Sequence, residues 1–398
     1  MSDIALITTT INVPELLMDY GRDAKTHGRT VKFCVSGDQK TPPAAADFCA
    51  RVTAETGVEC EYMDVAAQRV FMRDYPLLDA HLPWNCVQRR NVALLKAVRD
   101  GAQTVITIDD DNFIAAPDYF GGHLLTGQEA ELDSFGEAGQ WFNICRFLRE
   151  ENGRQFFARG YGMAVRTMAE PPLVAQREKK FTAVNAGLWL GDPDIDAITR
   201  LAIPVNATEY MRADNFFVAA GAWTPFNSQN TALARAALPA YFLSPFVGRF
   251  EDIFISFIIK RIADHLGHGV CFGHPLVRQD RNAHDLLHDL ALENLGMKIT
   301  DRFVAALQNA NLQGASYAVC LLELCEQAEA SLREGFNDGG AGAVGGIFCR
   351  LSRVGGVAAV GLGDGCPATV GAANRRVYLA TLWRYLLSTN DGADDVAS

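Results

Sequence analysis

The stretch Thr104-Val105-Ile106-Thr107-Ile108-Asp109-Asp110-Asp111-Asn112 decides how the chain reads. Its first five residues are all β-branched, which suits a strand buried on both faces in a parallel sheet covered by helices. Three aspartates follow without a break, and open α/β sheets place ligand groups just beyond the carboxyl ends of their strands. Adjacent carboxylates repel one another, and a folded chain tolerates that best when a divalent cation neutralises them. Asp109 and Asp111 are therefore candidate metal ligands, with Asp110 a candidate substrate contact. The all-oxygen donor set suits Mn²⁺ or Mg²⁺, and such an ion would in turn hold a diphosphate. A solvated acidic turn is the competing reading.

Working outward, Val92, Leu95 and Val98 recur at helical spacing, and Gly101 follows where a helix needs a left-handed cap. Ile4 to Thr9, Val31 to Val35 and Val58 to Val65 read as strands, so the first third alternates strand and helix in the manner of a parallel sheet. From Phe156 to Leu295 the pattern is mixed, with one clear helix around Asp252 to Leu266 that buries Phe254, Phe257, Ile258 and Ile262. Beyond Thr300 the chain reads as helical from Phe303 to Leu332, glycine-rich from Gly335 to Gly371, and helical again from Asn374 to Leu387. The expected organisation is a catalytic domain over 1–299, with a nucleotide-binding half (1–150) and an acceptor half (151–299), and a helical extension over 300–398.

The 398 residues can bury a sizeable core, and 49% hydrophobic with 21% charged residues is an ordinary globular composition. A formal net charge of −11, without any long Lys/Arg block, disfavours a nucleic-acid partner. The ten cysteines show no CxxC pair and no zinc-like spacing, which favours reduced thiols. No segment reaches the roughly 18 apolar residues of a membrane helix, and Met1-Ser2-Asp3 lacks the basic flank of a signal peptide. A soluble, cytoplasmic protein with no membrane partner is expected, and a homo-oligomer is compatible with the pattern.

Other segments carry chemistry. Gly248-Arg249-Phe250-Glu251-Asp252 opens a helix, where acids favour the positive end of the helix dipole. Beside a metal-diphosphate site, Asp252 or Glu251 also becomes a candidate general base for an attacking hydroxyl. Arg159 and Arg166, in and after Phe157-Ala158-Arg159-Gly160-Tyr161, are candidates for bidentate phosphate contact, against the alternative of ordinary surface arginines. Of His274, His284 and His288, His284 is the candidate third metal ligand. Gly361-Leu362-Gly363-Asp364-Gly365 lacks the lysine and Ser/Thr of a P-loop and is rejected as a nucleotide site.

Together these segments resemble the reversibly glycosylated polypeptides, which are plant UDP-arabinopyranose mutases, and the related STELLO-type glycosyltransferases with their bacterial relatives. The resemblance runs over residues 4 to 295 and rests on several blocks in one order. They are Val35 to Pro42, Arg89-Arg90-Asn91, Ile108 to Asn112, Phe157 to Tyr161 with Arg166, Ala183 to Leu190, Pro193 to Ala197, Asn230 to Leu233 and Gly248 to Asp252. In the last block Glu251 replaces an aspartate of the family pattern.

The resemblance implies a GT-A (Rossmann-like) nucleotide-diphospho-sugar transferase fold with the aspartates acting as a DxD metal site. It also implies that Asp38 faces the nucleoside and that Arg159 corresponds to the site of reversible glycosylation. Arg89, Arg90, Trp189 and Asn230 fall in its blocks as candidate substrate contacts. The implied activity is a metal-dependent glycosyltransferase moving a sugar from a nucleotide-diphosphate donor, such as a UDP-sugar, to a small-molecule acceptor. The alternatives are a UDP-sugar pyranose/furanose mutase and a non-catalytic nucleotide-sugar-binding subunit.

Overall fold

The computed structural model describes residues 3–245, 247–281 and 285–334. The glycine-rich stretch, the expected helix from Asn374 to Leu387 and the candidate ligand His284 lie outside the described residues.

Four parallel strands, β1 (Ile4–Thr10), β2 (Val31–Gly37), β3 (Glu59–Met63) and β4 (Thr104–Ile108), stand side by side in the order β3-β2-β1-β4. Helices α1 (Leu17–Thr26), α2 (Ala44–Thr56), α3 (Val65–Phe71), α4 (Pro76–Asp79) and α5 (Arg90–Arg99) fall between them in the chain. β4 is buried along its whole length, as its β-branched run requires. α5 stops where the sequence implies, with Gly101 at φ 91°. Its residues serve two cores: Ala93, Leu94, Ala97 and Val98 face the sheet cluster, while Val92 and Leu95 pack with Met63, Phe71, Met72, Tyr75, Leu78 and Leu82.

Beyond β4 the sheet becomes mixed. The chain adds β5 (Asn112–Ile114), β6 (Glu129–Phe135), β7 (Leu148–Glu150), the long β8 (Gln176–Gly191), α6 (Ala197–Ala202), β9 (Ala207–Tyr210), β10 (Phe216–Val218) and β11 (Asn230–Ala234). α7 (Glu251–Leu266), β12 (Gly269–Gln279), α8 (Leu286–Asn309) and α9 (Tyr317–Glu334) complete the described chain. The order continues β4-β11-β8-β6-β10-β12-β5. β11 is antiparallel to both β4 and β8, and β12 is parallel to β8, so β8 and β12 run in the same direction as β4. The parallel strands and their mixed continuation form one α/β sheet, as the expected fold class requires.

Two sequence expectations need correction. The third strand ends at Met63 instead of Val65, because the Asp64 carboxylate accepts the backbone N–H of Ala67 at 2.7 Å and caps α3. The expected helix from Phe303 to Leu332 is instead two helices, α8 and α9, parted between Ala310 and Ser316. The expected division at 299/300 falls inside α8, which packs against α6, α7 and α9. The proposed halves 1–150 and 151–299 likewise share one continuous sheet. No helix among the described residues is long and apolar enough to cross a membrane.

Candidate active site

The strand directions bring one set of ends together. β1, β2, β4, β8 and β12 deliver their carboxyl ends, and antiparallel β11 its amino end, to a single cleft of about 750 Å³. Thr9 and Thr10 come from β1, Asp38 follows β2, and Asp109, Asp110 and Asp111 follow β4. Ser228 and Gln229 precede β11, Asp194 follows β8, and Gln279 and Arg281 close β12. The first turn of α7 adds Glu251 and Asp252 to the lining, together with Gly248, Arg249 and Leu292.

The charges in this cleft form a connected chain. The Asp109 carboxylate takes a 2.5 Å ion pair from the fully buried Arg90, whose other amino group donates to the Ser228 hydroxyl at 2.8 Å. Ser228 in turn donates its backbone N–H to Asp252 at 3.1 Å. Asp252 is paired at 3.2 Å with Arg159, which also grips Asp194 in a two-point contact at 2.9 and 3.0 Å and donates to the Arg249 carbonyl. Buried ions persist only when paired and hydrogen-bonded in this way.

Burial pushes Asp194 up, yet the charge of Arg159 and its paired hydrogen bonds outweigh it and hold the carboxyl well below the usual carboxylate range. Asp252 is shifted the other way, since burial, with Asp194 and Asp109 adding to it, overcomes the pull of Arg159. Glu251 is only half-buried, but its Oε2 is sealed from solvent without a hydrogen bond. Burial and then the neighbouring Asp252 push it up to about 8, so it carries a proton at neutral pH.

The acidic trio is divided among different partners. Asp110 accepts from the Thr10 hydroxyl at 3.0 Å. Asp111 is buried, and its one hydrogen bond is a long 3.5 Å contact from the Gln279 amide. Burial, then the charges of Asp109 and Asp110, push Asp111 up to about 6, against the opposing pull of Arg281. A buried, weakly partnered carboxylate beside a second one is a donor set that fits a hard divalent ion. Among the described residues, a tighter group of three possible ligands lies elsewhere, at Asp23, His27 and Asp118. There Asp23 caps the backbone of Asp118 and Tyr119, and Asp118 is paired with Arg29, so the group serves the packing of α1.

Of the residues singled out from sequence, Asp38, Arg90, Asp109, Asp110, Asp111, Arg159, Glu251 and Asp252 line the cleft. Four others do not. Arg89 stacks 3.8 Å from the Trp84 ring centroid and donates to Gln68, whose amide holds the Gly37 carbonyl, so it props the turn that carries Asp38 from behind. Arg166 pairs at 2.5 Å with Asp196, the amino-terminal cap of α6. Trp189 and Asn230 are buried within the sheet, and Asn230 is held by His123 at 3.1 Å. Their flanking blocks are legible because they build the sheet, and the side chains themselves point into packing.

Sequence reasoning missed Thr10, Asp194, Ser228, Gln279 and Arg281. Asp194 stood inside a block already singled out, and its signal was proximity to a strand end. Arg281 carried no local signal at all.

The strand ends and the acidic cleft mark the class, an α/β protein with a polar cleft at the carboxyl edge of its sheet. Residues 148–338 match the family model of the Reversibly glycosylated polypeptide. The chain is 27% identical over 236 residues to "Probable UDP-arabinopyranose mutase 1" of Pisum sativum, covering 57% of this chain and 61% of that one. It is 28% identical over 239 residues to "UDP-arabinopyranose mutase 2" of Arabidopsis thaliana, covering 57% of this chain and 62% of that one. The chain thus spans about three fifths of the length of these curated relatives. A solved mannosyltransferase, PcManGT from Pyrobaculum calidifontis in complex with GDP-Man and Mn²⁺, aligns at a TM-score of 0.37 and 11% identity, over 99% of this chain and 88% of that chain. Over these residues the protein is similar to the reversibly glycosylated polypeptides and UDP-arabinopyranose mutases.

Proposed function

We propose that this protein is a metal-dependent glycosyltransferase that moves a sugar from a nucleoside-diphosphate donor to a small-molecule hydroxyl. The observation that carries this reading is the juxtaposition, in one cleft, of Asp109 and Asp111 at the end of β4 with Asp252 and Glu251 at the start of α7. Asp109 and Asp111 would hold a divalent ion, Mn²⁺ or Mg²⁺, which offsets charge on the departing diphosphate. Asp38, fixed by the Gln39 and Cys86 backbone N–H groups, offers its edge to the nucleoside.

Asp252 takes the acceptor proton. Its raised affinity for that proton suits a base, while Arg159 and the Ser228 N–H fix the carboxylate's direction. Arg159 has its guanidinium engaged by Asp194, Asp252 and the Arg249 carbonyl. It acts on the sugar by positioning Asp252, and sugar attachment to it would first require release from both carboxylates.

The second reading, a nucleotide-sugar mutase, is favoured by the relatives' names and by the protonated Glu251 beside Asp252, an acid and a base in contact with one cleft. Incubation with UDP-sugars and Mn²⁺, followed by chromatography of the nucleotide products, separates them. UDP released faster when an acceptor is added supports transfer, and a ring-isomerised UDP-sugar supports the mutase. Binding without turnover points to a non-catalytic subunit, and failure to bind any nucleotide sugar would sink all three.

A further inference from the structure

Four arginines line the cleft, and three are committed to close partners. Arg90 is spent on Asp109 and Ser228, Arg159 on Asp194 and Asp252, and Arg249 on Asp289 and Glu293 at 3.3 and 3.4 Å. Arg281 differs. Its side chain is 9% exposed, its Nε is sealed from solvent, and that Nε has no hydrogen-bond partner. The nearest acceptors are distant: Gln279 at 3.5 Å, Asp192 at 3.7 Å and Asp194 at 3.8 Å. Those two acids are already held by Arg200 and Arg159. Burial and the like charge of Arg200 both work against its charge. A guanidinium withdrawn from water with only long, shared ion pairs and an unbonded Nε is under-satisfied, and an anion supplied from the cleft offsets that cost.

Its position specifies the anion. Arg281 sits two residues past the end of the Gln279 strand, and Gln279 both pairs with Asn112 and reaches Asp111. The Gln279 amide, with its nitrogen on Asp111 and its oxygen 3.5 Å from the guanidinium, therefore links Arg281 to the carboxylates that end β4 within the same cleft. A cleft lined by Asp38, Asp109, Asp110, Asp111, Asp194 and Asp252 repels a diphosphate unless cations bracket it. A planar fork near the carboxylates proposed to hold the metal supplies a second cation.

We propose that Arg281 is a diphosphate-binding residue, gripping the pyrophosphate of the donor beside Asp109 and Asp111. The proposal rests on the nucleotide-sugar reading above. Its test is calorimetric titration of wild type, Arg281→Met and Arg281→Lys with UDP and with inorganic pyrophosphate, each with Mn²⁺, alongside an NMR titration with uridine. Arg281→Met should weaken UDP and pyrophosphate by roughly ten- to hundred-fold and leave uridine within about two-fold. Arg281→Lys, which keeps the charge and loses the fork, should fall between.

Diphosphate affinity unchanged in either variant overturns the clamp, as does an equal loss for uridine, which would mark Arg281 as a buttress of the Asp192 to Asp194 loop. Should Arg281→Met fail to fold, the lysine variant decides alone. If wild type binds none of UDP, GDP, ADP or CDP with Mn²⁺, the nucleotide-sugar reading itself fails, a result separate from the variants.

Discussion

Replacing Arg159 by methionine keeps the length of its aliphatic stem and deletes the charge that Asp194 and Asp252 share. All three side chains are buried, at 8%, 3% and 5% exposure, so solvent screens little of the loss. Removing one partner of a buried ion pair costs about 3–5 kcal/mol, because a carboxylate is left without its counter-charge. With an unfolding entropy of about 2.1 cal/mol/K per residue over roughly 300 residues, that lowers the melting temperature by about 5–8 °C at pH 7.

The pH dependence identifies the cause. In the wild type Asp194 is held below its unfolded value, so its stabilisation is present above the unfolded value near 3.9 and disappears as pH falls through the folded one. In Arg159→Met that contribution is gone, and Asp252, already raised, rises further and destabilises the fold increasingly as pH climbs. The Asp194 loss is nearly the same at pH 7 and pH 4.5, whereas the Asp252 effect makes the deficit largest at neutral pH and smaller toward pH 4.5. Differential scanning calorimetry of the two proteins at pH 7 and pH 4.5 measures it. A deficit that is constant or grows on acidification would refute the electrostatic argument and leave lost packing as the explanation.

Asp111→Ala should abolish Mn²⁺-dependent nucleotide binding in calorimetry while the melting temperature at pH 7 holds or rises slightly, since the deleted carboxylate was buried and raised to about 6; for the same reason metal affinity of the wild type should fall as pH drops below about 6. Glu251→Gln mimics the protonated acid, and because Glu251 is raised from 4.5 to about 8, wild-type stability should decline between those values relative to the variant, with the gap complete by about pH 9. Equal melting profiles of the two proteins from pH 5 to 9 would show that Glu251 is not held in its neutral form.

The two halves of the cleft differ in how far the sequence reveals them, and the reason is physical. Asp109, Asp110 and Asp111 are legible because one short-range pattern, a β-branched run ending in acids, encodes both the strand and the place where it stops. Asp252 and Glu251 are legible as the acidic first turn of an apolar helix. Arg90 could be picked out only by its block, since what makes it functional is a 138-residue jump to Ser228 across β4 and β11. Arg281 and Asp194 owe their places to the parallel pairing of β12 with β8, a long-range register that no local window contains. The same register explains which residues fall outside the cleft. Trp189 and Asn230 lie in strands whose ends serve the cleft, but their own side chains are consumed in packing the sheet and in the His123 hydrogen bond. A residue's distance along the strand from the carboxyl end, more than the motif around it, decides whether it lines the cleft in this fold. By that criterion Gln279, the last residue of β12 and the amide that touches Asp111, is the strongest cleft contact that motif reading left out.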